Sequence, residues 1–240
     1  MSSAEFYDNF ISAQIKSGVN DRIVGLYERM CRLELNNNTS VLEIGCGIGM
    51  LTYLLLRKIR TGKIEAVDIS PKSIEFAQKH LRANNLSLSA ADILQFEPRS
   101  SPFDRITLFD VIEHIPLEQH DAVFQRISKW MQDESLLLIN IPNPGYILFD
   151  QKNNPAALQE TDQPVFLAPL STGLAKASLD IVQMETYSVW VKDDYQFLVV
   201  RKRKDFEEKI LSTNRNIFQN GSIWMKRKWR KILYSYPPKK

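Results

Sequence analysis

Apolar positions along the chain follow two rhythms that alternate from about residue 41 onward. Short, nearly continuous apolar runs predict buried strands over 41–45, 63–68, 86–90, 105–110 and 135–141. Between them, apolar residues spaced three and four apart predict helices over 48–59, 71–83 and 117–131. Such alternation specifies a parallel, doubly wound α/β sheet. Pro71 behind Ser70 is a helix start signal, because proline is preorganised for the first helical position. Two later runs, 181–191 and 195–201, read as strands joined in a hairpin through Lys192, Asp193 and Asp194. Upstream, Glu5 to Met30 reads as two helices, with Phe6, Phe10, Ile11 and Ile15 close to one face, expected to lie over a ligand cleft. The organisation expected is a helical cap over 1–35, an α/β domain over 36–204 and a basic helical extension over 205–240.

The junction of the first strand and helix reads V-L-E-I-G-C-G-I-G-M-L-T from Val41 to Thr52. Gly45, Gly47 and Gly49 permit a sharp turn, a close approach of backbone to ligand and tight helix packing. The spacing is G-x-G-x-G, with Met50 at the sixth position, and not the G-x-G-x-x-G of dinucleotide sites. Glu43 sits two positions before the first glycine, where a carboxylate suits a cation and does nothing for a pyrophosphate. S-adenosylmethionine fits this better than a dinucleotide, since it has no phosphate and carries a sulfonium and an ammonium. Asp68 closes the second strand and is placed to accept from both ribose hydroxyls, while Asp92 follows the third strand, where it can accept from the adenine amino group.

E-I-G-C-G-I-G, A-V-D-I-S, A-A-D-I and F-D-V-I-E-H-I, in that order, resemble the motifs of class I S-adenosylmethionine-dependent methyltransferases. The D-V-I-E-H-I version is similar to the branch that includes ubiquinone-biosynthesis O-methyltransferases, and the likeness extends over roughly 36–202. The resemblance implies a Rossmann-like, seven-stranded, mostly parallel sheet with an antiparallel last strand, and S-adenosylmethionine as cofactor. It implies cofactor contacts from Glu43, Gly45, Cys46, Gly47, Asp68, Ile69, Asp92 and Ile93, with Phe109 and Asp110 bordering the cofactor. It does not name the acceptor. O-methylation of a small molecule, glycan or lipid-linked precursor is the reading adopted. RNA or protein methylation, or a non-catalytic cofactor-binding subunit, are the alternatives.

A hydroxyl acceptor needs a base or a metal ion, whereas an amine needs only to be neutral. After the fourth strand, His114 is the histidine placed to take a hydroxyl proton, with a bond to backbone or to Glu113 as its structural alternative. His80 and His120 are expected at the surface. Asp110, Glu113 and His114 would share one face if their segment were helical and could then hold a hard divalent ion, with Asp162 as a conjectural further ligand; the adopted reading has no metal. The stretch 142–169, much longer than an ordinary connector, leaves the carboxyl end of the fifth strand and is read as an acceptor lid with Tyr146, Phe149 and Phe166 as apolar walls.

Composition changes the picture at one place. The net charge of +3 combines +10 over Arg201 to Lys240, from 13 basic and three acidic residues, with −7 over the rest. Met225, Trp229, Ile232 and Leu233 would line one helical stripe among cations, a pattern suited to peripheral contact of 222–240 with an anionic membrane. An acidic body disfavours nucleic acid. The absence of a long apolar run or signal-peptide pattern, and two cysteines, Cys31 and Cys46, lead to the expectation of a cytoplasmic protein, with the basic end allowing peripheral contact at the inner membrane face.

Overall fold

The computed structural model describes residues 11–206 except 13, 160 and 161, together with 208, 224–226, 228 and 229. Two compact units result, 1–204 and 205–240. In the second, residues 224–226, 228 and 229 are helical, Trp224, Met225 and Trp229 are exposed, and the Lys228 ammonium lies 4.9 Å from the centre of the Trp224 ring. Phe6, Phe10, Ile232 and Leu233, invoked for the terminal helices, lie outside the described residues. Among the described residues no helix is long and apolar enough to cross a membrane.

The first unit is a seven-stranded sheet built from β1 (Val41–Ile44), β2 (Ile64–Asp68), β3 (Leu86–Ala90), β4 (Phe103–Phe109), β5 (Met131–Pro142), β6 (Leu179–Tyr187) and β7 (Tyr195–Lys202). Their order is β3-β2-β1-β4-β5-β7-β6. The pairs from β3 to β5 are parallel, and β7 runs antiparallel to both neighbours. This is the doubly wound sheet with an antiparallel last strand that the sequence reading expected. The order reverses between β1 and β4, and open α/β sheets bind ligands beyond their carboxyl ends at such a point.

The helices are α1 (Asp21–Arg32), α2 (Met50–Lys58), α3 (Pro71–His80), α4 (His120–Lys129), α5 (Pro144–Asn153) and α6 (Leu167–Lys176). Successive residues of a strand face opposite ways, so the central strands feed two cores. Leu42, Ile44, Ile106 and Leu108 join Phe124 and Ile127 of α4 and Leu170 and Leu174 of α6. Val41, Ile64 and Leu138 join Leu51 and Leu55 of α2 and Leu26 and Met30 of α1. Leu26 is fully buried, and cutting such a leucine to alanine costs about 2–5 kcal/mol. The side chain of Asn20 caps α1 by accepting from the Ile23 N–H, and that of Ser70 caps α3 by accepting from Ser73, with Pro71 at the first turn.

Three local expectations need correction. The helix expected over 117–131 begins with a separate 3-10 turn, Leu117–Gln119, before α4, and β5 starts as early as Met131. His120 is 6% exposed, and its Nε2 lies 3.0 and 2.8 Å from the carbonyl oxygens of Ile112 and Ile115, so it pins the loop after β4 and is not a surface residue. Last, β6 stops at Tyr187 and not at 191. The buried Asp194 carboxylate accepts from the N–H groups of Val189, Trp190 and Val191 at 2.8, 2.9 and 3.1 Å, which takes that backbone out of the ladder.

Candidate active site

The turn after β1 is left-handed at Gly45 (φ 79°) and again at Gly49 (φ 87°), where side chains are strained. A Cβ at Gly45 would come within 2.2 Å of Val111 Cγ2, and one at Gly49 within 2.5 Å of Leu81 Cδ1. The turn therefore packs β4's following loop on one side and the end of α3 on the other. The N–H of Gly47 donates to Asp68 Oδ2 at 2.7 Å, and the N–H of Ser70 donates to Asp68 Oδ1 at 2.9 Å. Backbone donors thus fix the carboxylate in place at the end of β2. Asp92 is held likewise, its Oδ1 accepting from the Leu94 N–H at 2.8 Å.

Glu43 is 4% exposed, and its Oε2 accepts from the Thr52 hydroxyl at 2.6 Å. Burial pushes its carboxyl up to about 8; the Thr52 hydroxyl pulls the other way, and the charge of Asp68 adds to the rise. A site that holds a carboxyl at the edge of ionisation at neutral pH has an unmet demand for positive charge. Cys46 is also buried, and burial, with the charges of Glu43 and Asp68, pushes its thiol well up, so it is inert packing in the turn.

The loop after β4 builds the opposite wall. Asp110 takes a left-handed backbone (φ 56°), and its Oδ1 accepts from Asn140 Nδ2 at 2.9 Å, while Asn140 Oδ1 accepts from the Tyr187 hydroxyl at 2.7 Å. Asp110 also forms an ion pair with Arg22 of α1, whose guanidinium lies 5.8 Å from the centre of the Trp190 ring. The next residues form a short 3-10 turn, Ile112–His114. Asp110 lies outside it, so the shared helical face of Asp110, Glu113 and His114 does not form. Among the described residues no three His, Cys, Asp or Glu side chains converge as a metal-binding group.

His114 Nδ1 lies 3.1 Å from Asp162 Oδ1, and its Nε2 lies 4.0 Å from Glu113 Oε1. A carboxylate partner assigns the proton to Nδ1 and leaves Nε2 with the lone pair. Burial lowers the imidazole's pKa, but the hydrogen bond to Asp162 and the charges of Glu113 and Asp162 outweigh it, so the net shift is upward. Asp162 is brought there by its neighbour: the Gln163 N–H donates to the Glu113 carbonyl at 3.3 Å, and the Gln163 side-chain amide donates to the Ile115 carbonyl.

One cavity of about 930 Å³ joins both walls. Every residue expected from the sequence to contact the cofactor or act as base lines it: Glu43, Gly45, Cys46, Gly47, Asp68, Ile69, Asp92, Ile93, Phe109, Asp110 and His114. Of the expected lid walls only Tyr146 does. Phe149 and Phe166 are 60% and 47% exposed and do not line it: α5 buries Pro144, Ile147 and Asp150 and turns Phe149 outward, and Phe166 sits at the N-cap of α6. The sequence reading missed Gln14, Arg22, Asp150, Trp190 and Tyr195, all of which line the cavity. Only Asn20 ahead of Asp21, a capping signal, hinted that α1 begins at this wall.

Residues 41–134 match the family model described as a methyltransferase domain. The (S)-coclaurine N-methyltransferase of Thalictrum flavum subsp. glaucum is 28% identical over 119 residues, 48% of this chain and 32% of that protein. The phosphoethanolamine N-methyltransferase of Plasmodium falciparum is 33% identical over 108 residues, 45% of this chain and 40% of that protein. The malonyl-[acyl-carrier protein] O-methyltransferase of Halalkalibacterium halodurans is 28% identical over 154 residues, 62% and 55%. The chain thus matches about a third to a little over half of the length of these relatives. In fold it is similar to the magnesium protoporphyrin IX methyltransferase of Synechocystis PCC 6803 with bound SAH, with a TM-score of 0.61, 16% identity and coverage of 84% and 88% of the two chains. A S-adenosylmethionine-dependent methyltransferase from Clostridium acetobutylicum gives a TM-score of 0.63 at 16% identity, covering 82% and 99%.

Proposed function

Residues 41–134 being a methyltransferase domain of the S-adenosylmethionine-dependent class, we propose that the chain transfers a methyl group from S-adenosylmethionine to a hydroxyl of a small-molecule, glycan or lipid-linked acceptor. The observation that carries this reading is the single cavity with a glycine turn and three placed carboxyls at one end and the His114–Asp162 pair at the other. About 930 Å³ is near the upper end of the usual range for one ligand and leaves room for two molecules to meet.

The cofactor supplies an electrophilic methyl carbon bound to a sulfonium. On this reading Asp68 would accept from the ribose hydroxyls, Asp92 from the adenine amino group, and Glu43, deprotonated as the ligand enters, would balance its positive charge. His114 Nε2 takes the acceptor's hydroxyl proton as the oxygen–carbon bond forms and the carbon–sulfur bond breaks with its electron pair left on sulfur. Asp162 keeps the imidazole in the tautomer that can do this, and stabilises the imidazolium that results.

The reading is tested by calorimetry with S-adenosylhomocysteine on the full chain and on Asp68→Ala. Losing charge-assisted bonds to the ribose is expected to weaken binding by about 1.5–3 kcal/mol. Preferential binding of NAD, or equal affinity in the variant, would overturn it.

A further inference from the structure

The acceptor end of the cavity has more carboxylates than cations. Asp110, Glu113, Asp150 and Asp162 line it, against Arg22 and His114. Arg22 is engaged with Asp110, and His114 is shared between Asp162 at 3.1 Å and Glu113 at 4.0 Å, so two cationic side chains face four carboxyls. Asp150 is in hydrogen-bond contact with the Tyr146 hydroxyl. Glu113 is the sharper case. It is 2% exposed, its Oε1 is 4.0 Å from the nearest imidazole nitrogen, and its Oε2 has no hydrogen-bond partner among the described residues.

A buried carboxylate oxygen without a donor is costly unless a ligand or water satisfies it, or unless the group stays protonated. Burial does raise the Glu113 pKa, with the positive charges of His114 and Arg22 opposing the rise and the negative charge of Asp162 adding to it. Among the described residues, four of the seven unpartnered buried side-chain atoms line this cavity: Gln14 Oε1, Arg22 Nε, Glu113 Oε2 and Gln159 Oε1. Three of those four are oxygens, so the wall as built lacks hydrogen-bond donors. Trp190, Tyr195 and Tyr146 add aromatic surface to the same end, a surrounding that favours a cation.

We infer that the acceptor carries a protonated amine, and that this ammonium group is seated on the Glu113 carboxylate beside His114, with Asp150 as the second carboxylate of the subsite. The inference rests on the methyltransferase reading only for the identity of the bound molecule as acceptor. The ammonium group supplies the donors that Glu113 Oε2 and Gln159 Oε1 lack, and its charge offsets the negative surplus of this end of the cavity. An anionic acceptor would instead add to the negative surplus, and Arg22, already paired with Asp110, offers it little.

The test uses three matched probes with cationic, neutral and anionic heads, benzylamine, benzyl alcohol and benzoate. Each is titrated by ligand-observed NMR into the full chain, both empty and saturated with S-adenosylhomocysteine. Benzylamine is expected to bind about tenfold or more tightly than benzyl alcohol, with benzoate weakest, and Glu113→Gln is expected to bring benzylamine and benzyl alcohol within about twofold. S-adenosylhomocysteine affinity in Glu113→Gln serves as the check that the variant is folded. Should that variant fail the check, Asp150→Asn is expected to reduce the benzylamine preference about threefold. Benzyl alcohol or benzoate binding as tightly as benzylamine, no benzylamine binding, or a preference unchanged in the folded variant would overturn the inference. Failure of S-adenosylhomocysteine to bind the wild-type chain would instead count against the methyltransferase reading, and leaves the probe ranking on the empty chain to be judged by itself.

Discussion

The two ends of the cavity are built on opposite plans. At the β1–β2 end each carboxyl is already held by the protein: Asp68 by the N–H groups of Gly47 and Ser70, Asp92 by that of Leu94, Glu43 by Thr52. At the β4–β5 end Asp110 and His114 are paired, but Glu113 Oε2 and Gln159 Oε1 have no hydrogen-bond partner among the described residues, and the parts come from α1, the 3-10 turn, α5 and the segment before α6. On the proposed reading, the first end is preorganised for the shared reagent and the second is completed by the acceptor that binds there, which divides the work of affinity and of specificity.

The largest effect that should separate the halves is at Gly45. Valine there puts a branched side chain at φ 79°, where its Cβ would lie 2.2 Å from Val111. We expect S-adenosylhomocysteine binding to be lost and stability to fall by about 2 kcal/mol or more, read by calorimetry and a thermal melt. Retained binding would show that the turn tolerates remodelling and is not the preorganised end.

His114→Ala should act on turnover alone, lowering the rate by about 10²-fold while S-adenosylhomocysteine affinity stays within about twofold. If cofactor affinity falls in step, the two halves are not separable. Asp162→Asn is milder, with an expected loss of about tenfold and a characteristic pH signature. Because His114 must be neutral to accept a proton, activity rises as pH passes its pKa. Asp162 contributes to holding that pKa up. Removing its charge should move the acidic limb of the kcat/KM profile to lower pH; a limb that stays in place would refute the assigned partner.

The smallest effect concerns Glu43. With its carboxyl at about 8 in the folded chain against 4.5 ordinarily, the native state keeps a proton that the unfolded chain has shed. Glu43 therefore contributes stability that is fully present below about pH 4.5 and lost as pH rises through about 8. A cationic ligand lowers that pKa, so binding of S-adenosylmethionine at pH 7 should release up to about one proton, seen as a binding enthalpy that varies with buffer ionisation. Glu43→Gln should abolish the release.

The contrast also explains what could be read from the sequence. The strand ends, the glycine turn and its acids lie within about fifty residues and are fixed by local rules, so Glu43, Asp68 and Asp92 were legible before any coordinates. Arg22, Asp162 and Trp190 reach the cavity only through tertiary packing, and no periodicity marks them. Phe149 and Phe166 misled because hydrophobicity says that a side chain prefers burial and does not say which face of α5 turns inward or that Phe166 falls at the N-cap of α6. His120 misled because its two carbonyl partners are set by a 3-10 turn that no spacing announces. At β6, a single acid, Asp194, overruled the apolar run by capturing three backbone donors.

Helix α5 begins with a capped proline turn, returns to the sheet within one excursion, and shows the cavity only Tyr146, Ile147 and Asp150. Its outer residues, Leu148, Phe149, Lys152 and Asn153, are exposed. Substitutions on those inward positions would retune the choice of acceptor while leaving the reagent site, and most of both cores, as they are. The region matched to the methyltransferase domain ends at residue 134, before this helix begins. On the proposed reading, changes in this one short helix would give the same scaffold a different acceptor without rebuilding the reagent site.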